Sequence, residues 1–209
     1  MRPDYRILYS IKRAYVDHRR HAITMRGLVL VGGQSERMGK SKAHLEYNDK
    51  PLYRHAYDLL SAVCSSVYLS TRAEQVFDLP TITDDAFKEI GPASGLLSAY
   101  ETYRDAWFVL ACDFPLATPN AIQQLCDSYK PPATYFIMDG QIEPLFAIWS
   151  SEALELLKEN VGKGKTGPIF TLKSLGNGIE PKDKRWLYNT NTPEEWQLVQ
   201  SMDKQDDIC

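Results

Sequence analysis

From residue 27 onward, short apolar runs alternate with amphipathic stretches. Leu28-Val29-Leu30-Val31 is a continuous β-prone run ended by Gly32-Gly33, the pattern of a strand buried on both faces. The pattern over 51–62 predicts a helix, with Leu52, Ala56, Leu59, Leu60 and Val63 on one face and Pro51 in its first turn. Val67-Tyr68-Leu69 predicts a second strand, and Pro80-Thr81-Ile82-Thr83 a weaker third. A helix over 95–103 follows, opened by Gly91-Pro92-Ala93-Ser94. Trp107-Phe108-Val109-Leu110-Ala111-Cys112 is the second strong apolar strand and ends at Asp113.

The second half continues in the same manner. A helix is predicted over 119–129 with Thr118 as its N-cap. Two strands over 133–138 and 144–149 join around Asp139-Gly140, and a helix over 151–160 has Ser151 as candidate cap. Thr192-Pro193-Glu194-Glu195 opens the last helix, with Thr as cap, Pro at the first helical position and acids in the first turn. Strands alternating with helices predict an α/β chain with a mostly parallel sheet covered on both faces.

The length suits one medium domain with a sizeable core. Residues 1–25 stand apart, because the core pattern begins only after Met25. They are expected to form an N-terminal extension, and one reading starts translation at Met25. Residues 26–200 are expected to form the main domain and 201–209 a tail. A formal charge of −3 gives no general attraction to nucleic acid. Cys64, Cys112, Cys126 and Cys209 lack CxxC spacing, which disfavours zinc and redox chemistry. Reduced cysteines and the lack of a transmembrane or signal-peptide run predict a cytoplasmic protein without membrane partners.

The first chemistry-bearing motif is the loop Gly32-Gly33-Gln34-Ser35-Glu36-Arg37-Met38-Gly39-Lys40-Ser41-Lys42. It leaves the most buried-looking strand, and in open α/β sheets ligands bind beyond the carboxyl ends of strands. Two glycines let the backbone approach a ligand and turn N–H donors towards an anion. Arg37 and Lys42 add positive charge suited to a polyphosphate. Gly39-Lys40-Ser41 looks like the end of a P-loop, but that pattern needs a glycine at position 34, where Gln34 stands. The second motif is Asp113 in Leu110-Ala111-Cys112-Asp113-Phe114-Pro115: a carboxylate at a strand end on the same sheet edge, able to hold Mg²⁺ against phosphate oxygens. Its plain alternative is a turn Asp helped by Pro115. Asp84 and Asp85 could accept hydrogen bonds from a base or ribose, or be solvated loop acids. Asn191, in Asn189-Thr190-Asn191-Thr192-Pro193, is placed to be a neutral metal or substrate ligand.

Val31-Gly32-Gly33-Gln34-Ser35-Glu36-Arg37-Met38-Gly39 resembles the G-G-x-S-x-R-M-G signature of the molybdenum cofactor guanylyltransferases. The resemblance extends through Lys42, Lys50-Pro51-Leu52, Asp84, Gly91-Pro92-Ala93-Ser94-Gly95, Cys112-Asp113-Phe114-Pro115, Glu143-Pro144-Leu145-Phe146 and Asn189-Thr190-Asn191-Thr192-Pro193-Glu194-Glu195. It covers about residues 26–200, in order. It implies a Rossmann-like three-layer αβα sandwich, with GTP, Mg²⁺ and molybdopterin (or Mo-molybdopterin) as partners. The implied reaction transfers GMP to the pterin phosphate and releases pyrophosphate.

By position, the resemblance implies a nucleotide site at Leu30, Val31, Gly32, Gly33, Lys42, Ser70, Asp84 and Asp113. Arg37, Lys42 and Asp113 would carry catalysis, and Asp113 and Asn191 would hold the metal. Ser70 stands where the family often has a nucleotide-binding asparagine, and Ser41 where it often has an aspartate. The sister cytidylyltransferases usually show A-A-G in the first loop and D-x-D-T-P near the end, unlike Gly32-Gly33 and Asn189-Thr190-Asn191 here. Molybdenum cofactor-handling proteins are further expected partners. Cytidylyl transfer to molybdopterin, a sugar-1-phosphate nucleotidyltransferase and a non-catalytic nucleotide-binding regulator are the alternatives, with a kinase disfavoured by the P-loop spacing.

Overall fold

The computed structural model describes residues 25–31, 42–84, 87 and 90–206. The glycine loop from Gly32 to Ser41 lies outside them, as do residues 1–24. A seven-stranded sheet runs through the centre in the order β5-β4-β1-β6-β8-β7-β9. Its strands are β1 (Met25–Leu30), β4 (Val67–Thr71), β5 (Thr81–Thr83), β6 (Ala106–Ala111), β7 (Ala133–Met138), β8 (Gln141–Trp149) and β9 (Gly178–Ile179). β5, β4, β1 and β6 are parallel. β8 runs against both β6 and β7, and β9 returns parallel to β7. The mostly parallel sheet predicted from the sequence is present.

β1 is flanked by a strand on each side and by helices above and below. Leu28 and Val29 are accordingly both fully buried, as the unbroken apolar run predicts. The chain leaves β1 through α1 (Leu52–Ser61) towards β4 and β5, then returns through α2 (Ala93–Thr102) to β6 on the other side. Right-handed crossovers in opposite directions put α1 and α2 on opposite faces. α3 (Pro119–Ser128) packs beside α1, while α4 (Ser151–Gly162) and α5 (Pro168–Leu175) extend the layer of α2. Three layers result. The strand order reverses about β1, so the crevice beyond its carboxyl end is where ligands bind in such sheets.

Several predicted boundaries move. Ser150, not Ser151, caps α4: Ser150 is extended and its side chain accepts from the Ala153 N–H, whereas Ser151 is already helical. α2 begins two residues before position 95, so Ala93 and Ser94 belong to the helix. Pro51 is the N-cap of α1 rather than a first-turn residue. β8 starts at Gln141, because Asp139 and Gly140 form a two-residue turn with positive φ (51° and 78°) that pairs Met138 directly with Gln141.

A small hairpin, β2 (Glu46–Tyr47) with β3 (Lys50–Pro51), escapes the apolar pattern. Its turn residues Asn48 and Asp49 sit at φ 50° and 60°, a region that Asn and Asp tolerate better than most residues. α5 and β9 also lie outside the predicted elements. α5 is short but punctuated at both ends, by Pro168 at its start and Gly176 (φ 70°) at its close. The last helix, α6 (Pro193–Asp206), crosses position 200 and opens with a reciprocal cap. Thr192 Oγ1 accepts from the Glu195 N–H, and the Glu195 carboxylate accepts from the Thr192 and Asn191 N–H groups.

The core is aromatic where β6, β7 and β8 meet. The Phe146 ring lies 5.2 Å from Phe136, 5.7 Å from Phe114 and 6.4 Å from Phe108. Trp107 and Trp149, opposite each other across the β6–β8 ladder, are fully buried and donate their indole N–H groups to the Tyr103 and Pro144 carbonyls. No described helix is long and apolar enough to cross a membrane.

Phe146→Ala is expected to cost roughly 3–5 kcal/mol in urea unfolding, because a fully buried ring leaves a cavity among three others. A loss below about 1 kcal/mol would show that the cluster collapses around the gap.

Candidate active site

The carboxyl ends of β1, β4 and β6 are brought level by hydrogen bonds that continue the ladders past the strands. The Val31 N–H donates to the Ser70 carbonyl (3.4 Å), and the Cys112 N–H to the Leu30 carbonyl (3.0 Å). The Asp84 N–H donates to the Thr71 carbonyl (2.9 Å), which extends the β4–β5 pair by one residue. Leu30, Val31, Ser70, Asp84 and Asp113 therefore share one sheet edge.

Asn191 reaches that edge by a different route. The Thr190 N–H donates to the Asp113 carbonyl at 3.1 Å, and Thr190 is itself buried. One backbone contact thus joins the end of β6 to a segment 77 positions later. Asn191 stands beside it, exposed, with its backbone fixed by Glu195. Gly32, Gly33 and Arg37 lie outside the described residues, as does the Lys42 side chain. The backbone of Lys42 opens a short 3₁₀ turn, Lys42–His44, directly before the β2–β3 hairpin.

Ser70 is buried in the seam between β4 and α2. α2 approaches so closely there that a Cβ on Gly95 would overlap the Ser70 hydroxyl and come within 2.6 Å of a Leu30 methyl. Gly95 in Gly91-Pro92-Ala93-Ser94-Gly95 is therefore a packing glycine, needed for close helix–sheet contact. Gly91, at φ 63°, turns the chain into the helix. The Ser94 hydroxyl donates to the Phe87 carbonyl, closing that turn. The N-terminus of α2, the positive end of the helix dipole, opens at the ligand-binding edge.

Glu143 opens the segment 143–149, which the family resemblance places, with Lys163, Lys165 and Asn191, around the acceptor. In β8, Glu143 pairs with Phe136 of β7 just before a break in the β7–β8 register, and it lies near enough to Asp113 for that charge to act on it. The Glu143 carboxylate accepts from the Leu145 N–H at 3.1 Å. Burial, reinforced by the negative charge of Asp113, raises its pKa from the ordinary 4.5 to about 7. An acid before a proline inside an apolar strand was the available signal.

Lys163 and Lys165 follow α4. β8 runs down from the edge and α4 runs back up, so their loop returns to the same side of the sheet. The ammonium of Lys165 lies 4.2 Å from the centre of the Phe170 ring.

The edge thus gathers the end of β1, a helix N-terminus, two neighbouring carboxylates and a basic loop at a topological switch point. Among solved structures, a molybdopterin-guanine dinucleotide biosynthesis protein A from Archaeoglobus fulgidus superposes with a TM-score of 0.70 at 21% identity, covering 87% of this chain and all of that one. A 2-C-methyl-D-erythritol 4-phosphate cytidylyltransferase from Thermus thermophilus superposes with a TM-score of 0.63 at 10% identity. It covers 85% of this chain and 98% of that one. At those identities the likeness is one of fold: the α/β fold of nucleotidyltransferases.

The sequence is more specific. Residues 27–176 match the MobA-like NTP transferase domain, and the chain belongs to that family of nucleotidyltransferase enzymes. A protein of Pyrococcus horikoshii named "Probable molybdenum cofactor guanylyltransferase" is 31% identical over 190 residues, covering 82% of this chain and 96% of its own. A "Molybdenum cofactor biosynthesis bifunctional protein" of Synechocystis is also 31% identical, over 81% of this chain. The match spans 52% of that longer protein.

Because the folded pKa of Glu143 lies above 4.5, the stability of its buried neutral form is complete below about pH 4.5 and is lost as pH rises through about 7. Glu143→Gln is therefore expected to match the wild type near pH 5 and to unfold at higher denaturant than the wild type at pH 8. A difference that does not change with pH would place the Glu143 carboxyl in a more solvated site.

Proposed function

We propose that the protein transfers GMP from GTP to molybdopterin, or Mo-molybdopterin, forming the guanine dinucleotide and releasing pyrophosphate. The observation that carries this is the bond from Thr190 to the Asp113 carbonyl. It joins the late Asn-Thr-Asn-Thr-Pro segment to the strand end beside the glycine loop. Guanylyltransferase relatives that align along most of their length support the choice of base and acceptor.

The acceptor phosphate is already anionic near neutral pH, so the step needs little from a protein base. One of its oxygens forms a bond to the α-phosphorus of GTP while the bond to the β-phosphate oxygen breaks. What the site must supply is alignment and neutralisation of crowded negative charge. In this reading Gly32 and Gly33 offer backbone N–H groups to the triphosphate, and Arg37 and Lys42 add positive charge. Leu30, Val31, Ser70 and Asp84 complete the nucleotide side. Glu143, Lys163, Lys165 and Asn191 border the acceptor.

The donor set suits a hard divalent cation. Asp113 offers carboxylate oxygens, Asn191 an amide oxygen, and the charge of Asp113 already burdens Glu143. We propose Mg²⁺, held by Asp113 and Asn191, which when bound neutralises phosphate charge and favours departure of pyrophosphate. Among the described residues no cluster of three or more His, Cys, Asp or Glu forms a cage. Phosphate oxygens and water would complete the shell, as is usual for Mg²⁺.

Cytoplasmic residence belongs to the same proposal. Cys64, Cys112 and Cys126 are buried in the core and lack the CxxC spacing of a redox pair, which suits a reducing compartment.

Two measurements test the reading. GTP with Mg²⁺ at about a hundred times its Kd is expected to raise the melting temperature by roughly 5–10 °C, more than ATP, CTP or UTP. A larger shift with CTP would move the protein to cytidylyl transfer. Pyrophosphate release from GTP and molybdopterin is expected from the wild type and not from a folded Asp113→Ala variant. Wild-type turnover in that variant would remove Asp113 from the metal.

A further inference from the structure

We infer that His55 is a positioning residue: it holds the loop from Asp113 to Thr118 in place and so sets the carboxylate of Asp113. The inference rests on the metal role proposed above for Asp113.

The loop begins at the sheet edge, where the Cys112 N–H is bonded to the Leu30 carbonyl, and ends at Thr118, the cap of α3. Between them the Ala117 N–H donates to the Phe114 carbonyl (3.1 Å), closing a single turn. His55, on α1, meets that turn from outside. Its Nε2 lies 3.0 Å from the Ala117 carbonyl. A carbonyl only accepts, so Nε2 carries the proton. Burial holds the imidazole below its usual range, and the Lys50–Asp58 ion pair (2.6 Å) flanks it.

The ring is fixed on its other side. Tyr47, from the hairpin that follows Lys42, lies edge-on to it with centroids 6.4 Å apart, and Trp196 of α6 lies 6.4 Å beyond Tyr47. The Leu52 N–H donates to the Leu45 carbonyl (2.9 Å), tying the start of α1 to the chain between Lys42 and the hairpin. His55 therefore stands where three segments meet. One follows the glycine loop, one carries Asp113, and one follows Asn191. Thr190 holds the Asp113 carbonyl at the near end of the loop, and His55 holds the Ala117 carbonyl at the far end. With both ends fixed, the metal-side carboxylate has one place to be.

Ring packing alone would be served by phenylalanine, so the N–H donor is what the test must isolate. His55→Phe keeps the ring and removes the donor. His55→Gln supplies an N–H at a similar reach. In the full-length protein, amide exchange at Phe114, Leu116, Ala117 and Thr118 is expected to quicken about fivefold or more in His55→Phe and to return towards wild type in His55→Gln. Mn²⁺ affinity in the presence of GTP, read by electron paramagnetic resonance, should weaken severalfold in His55→Phe and recover in His55→Gln. kcat should fall with it, while KM for GTP stays within about twofold.

Unchanged loop exchange in His55→Phe overturns the inference outright. Equal impairment of both variants overturns it too, since packing would then be the whole role of the ring. Absence of GTP-dependent Mn²⁺ binding in the wild type overturns the metal role itself, independently of what the exchange shows.

Discussion

The ladder that β1 makes with β4 on one side and β6 on the other places Leu30, Val31, Ser70 and Asp113 at one edge. Its register puts Leu30 beside both Ser70 and Ala111, so three carboxyl ends finish at the same height. A parallel ladder leaves no slack for this: moving one strand by a residue would turn Leu28 and Val29 to the opposite faces and carry Asp113 away from the edge. The same ladder sets the strand order that reverses about β1. Opposite crossovers from that point open the crevice and bring the start of α2 to its rim.

Around this fixed edge the later chain is added by a few contacts. The antiparallel strand β8 carries Glu143 back towards Asp113, at the cost of burying a carboxyl within reach of another negative charge. Thr190 and Glu195 together fold 189–195 onto the end of β6, the first by the Asp113 carbonyl and the second by capping α6. Gly95 lets α2 lie so close to β4 that Ser70 is sealed beneath it.

What could be read in the sequence and what could not follow from the range of the signal. The buried strands, the caps at Thr118 and Thr192 and the Asp139-Gly140 turn were legible, because each depends on neighbours a few residues away. The cap of α4 was misplaced by one position because Ser150 and Ser151 are chemically equivalent and only the backbone angle tells them apart. The β2–β3 hairpin was missed because its strands are two residues long and its turn is Asn-Asp, without the glycine that usually marks one. α5 was missed although Pro168 and Gly176 bracket it, since eight residues carry little periodicity.

The sequence by itself determined the class of fold, the glycine loop, the acid at the end of a buried strand and the family to which the chain belongs. These are local patterns, and an ordered series of them is hard to meet by chance. Tertiary structure alone decided that Glu143 comes within reach of the Asp113 charge, that Thr190 and His55 are bonded at the two ends of one loop, and that Gly95 is a packing glycine. Each joins residues tens of positions apart. Such pairs are set by strand register and crossover handedness, which no stretch of chain contains on its own.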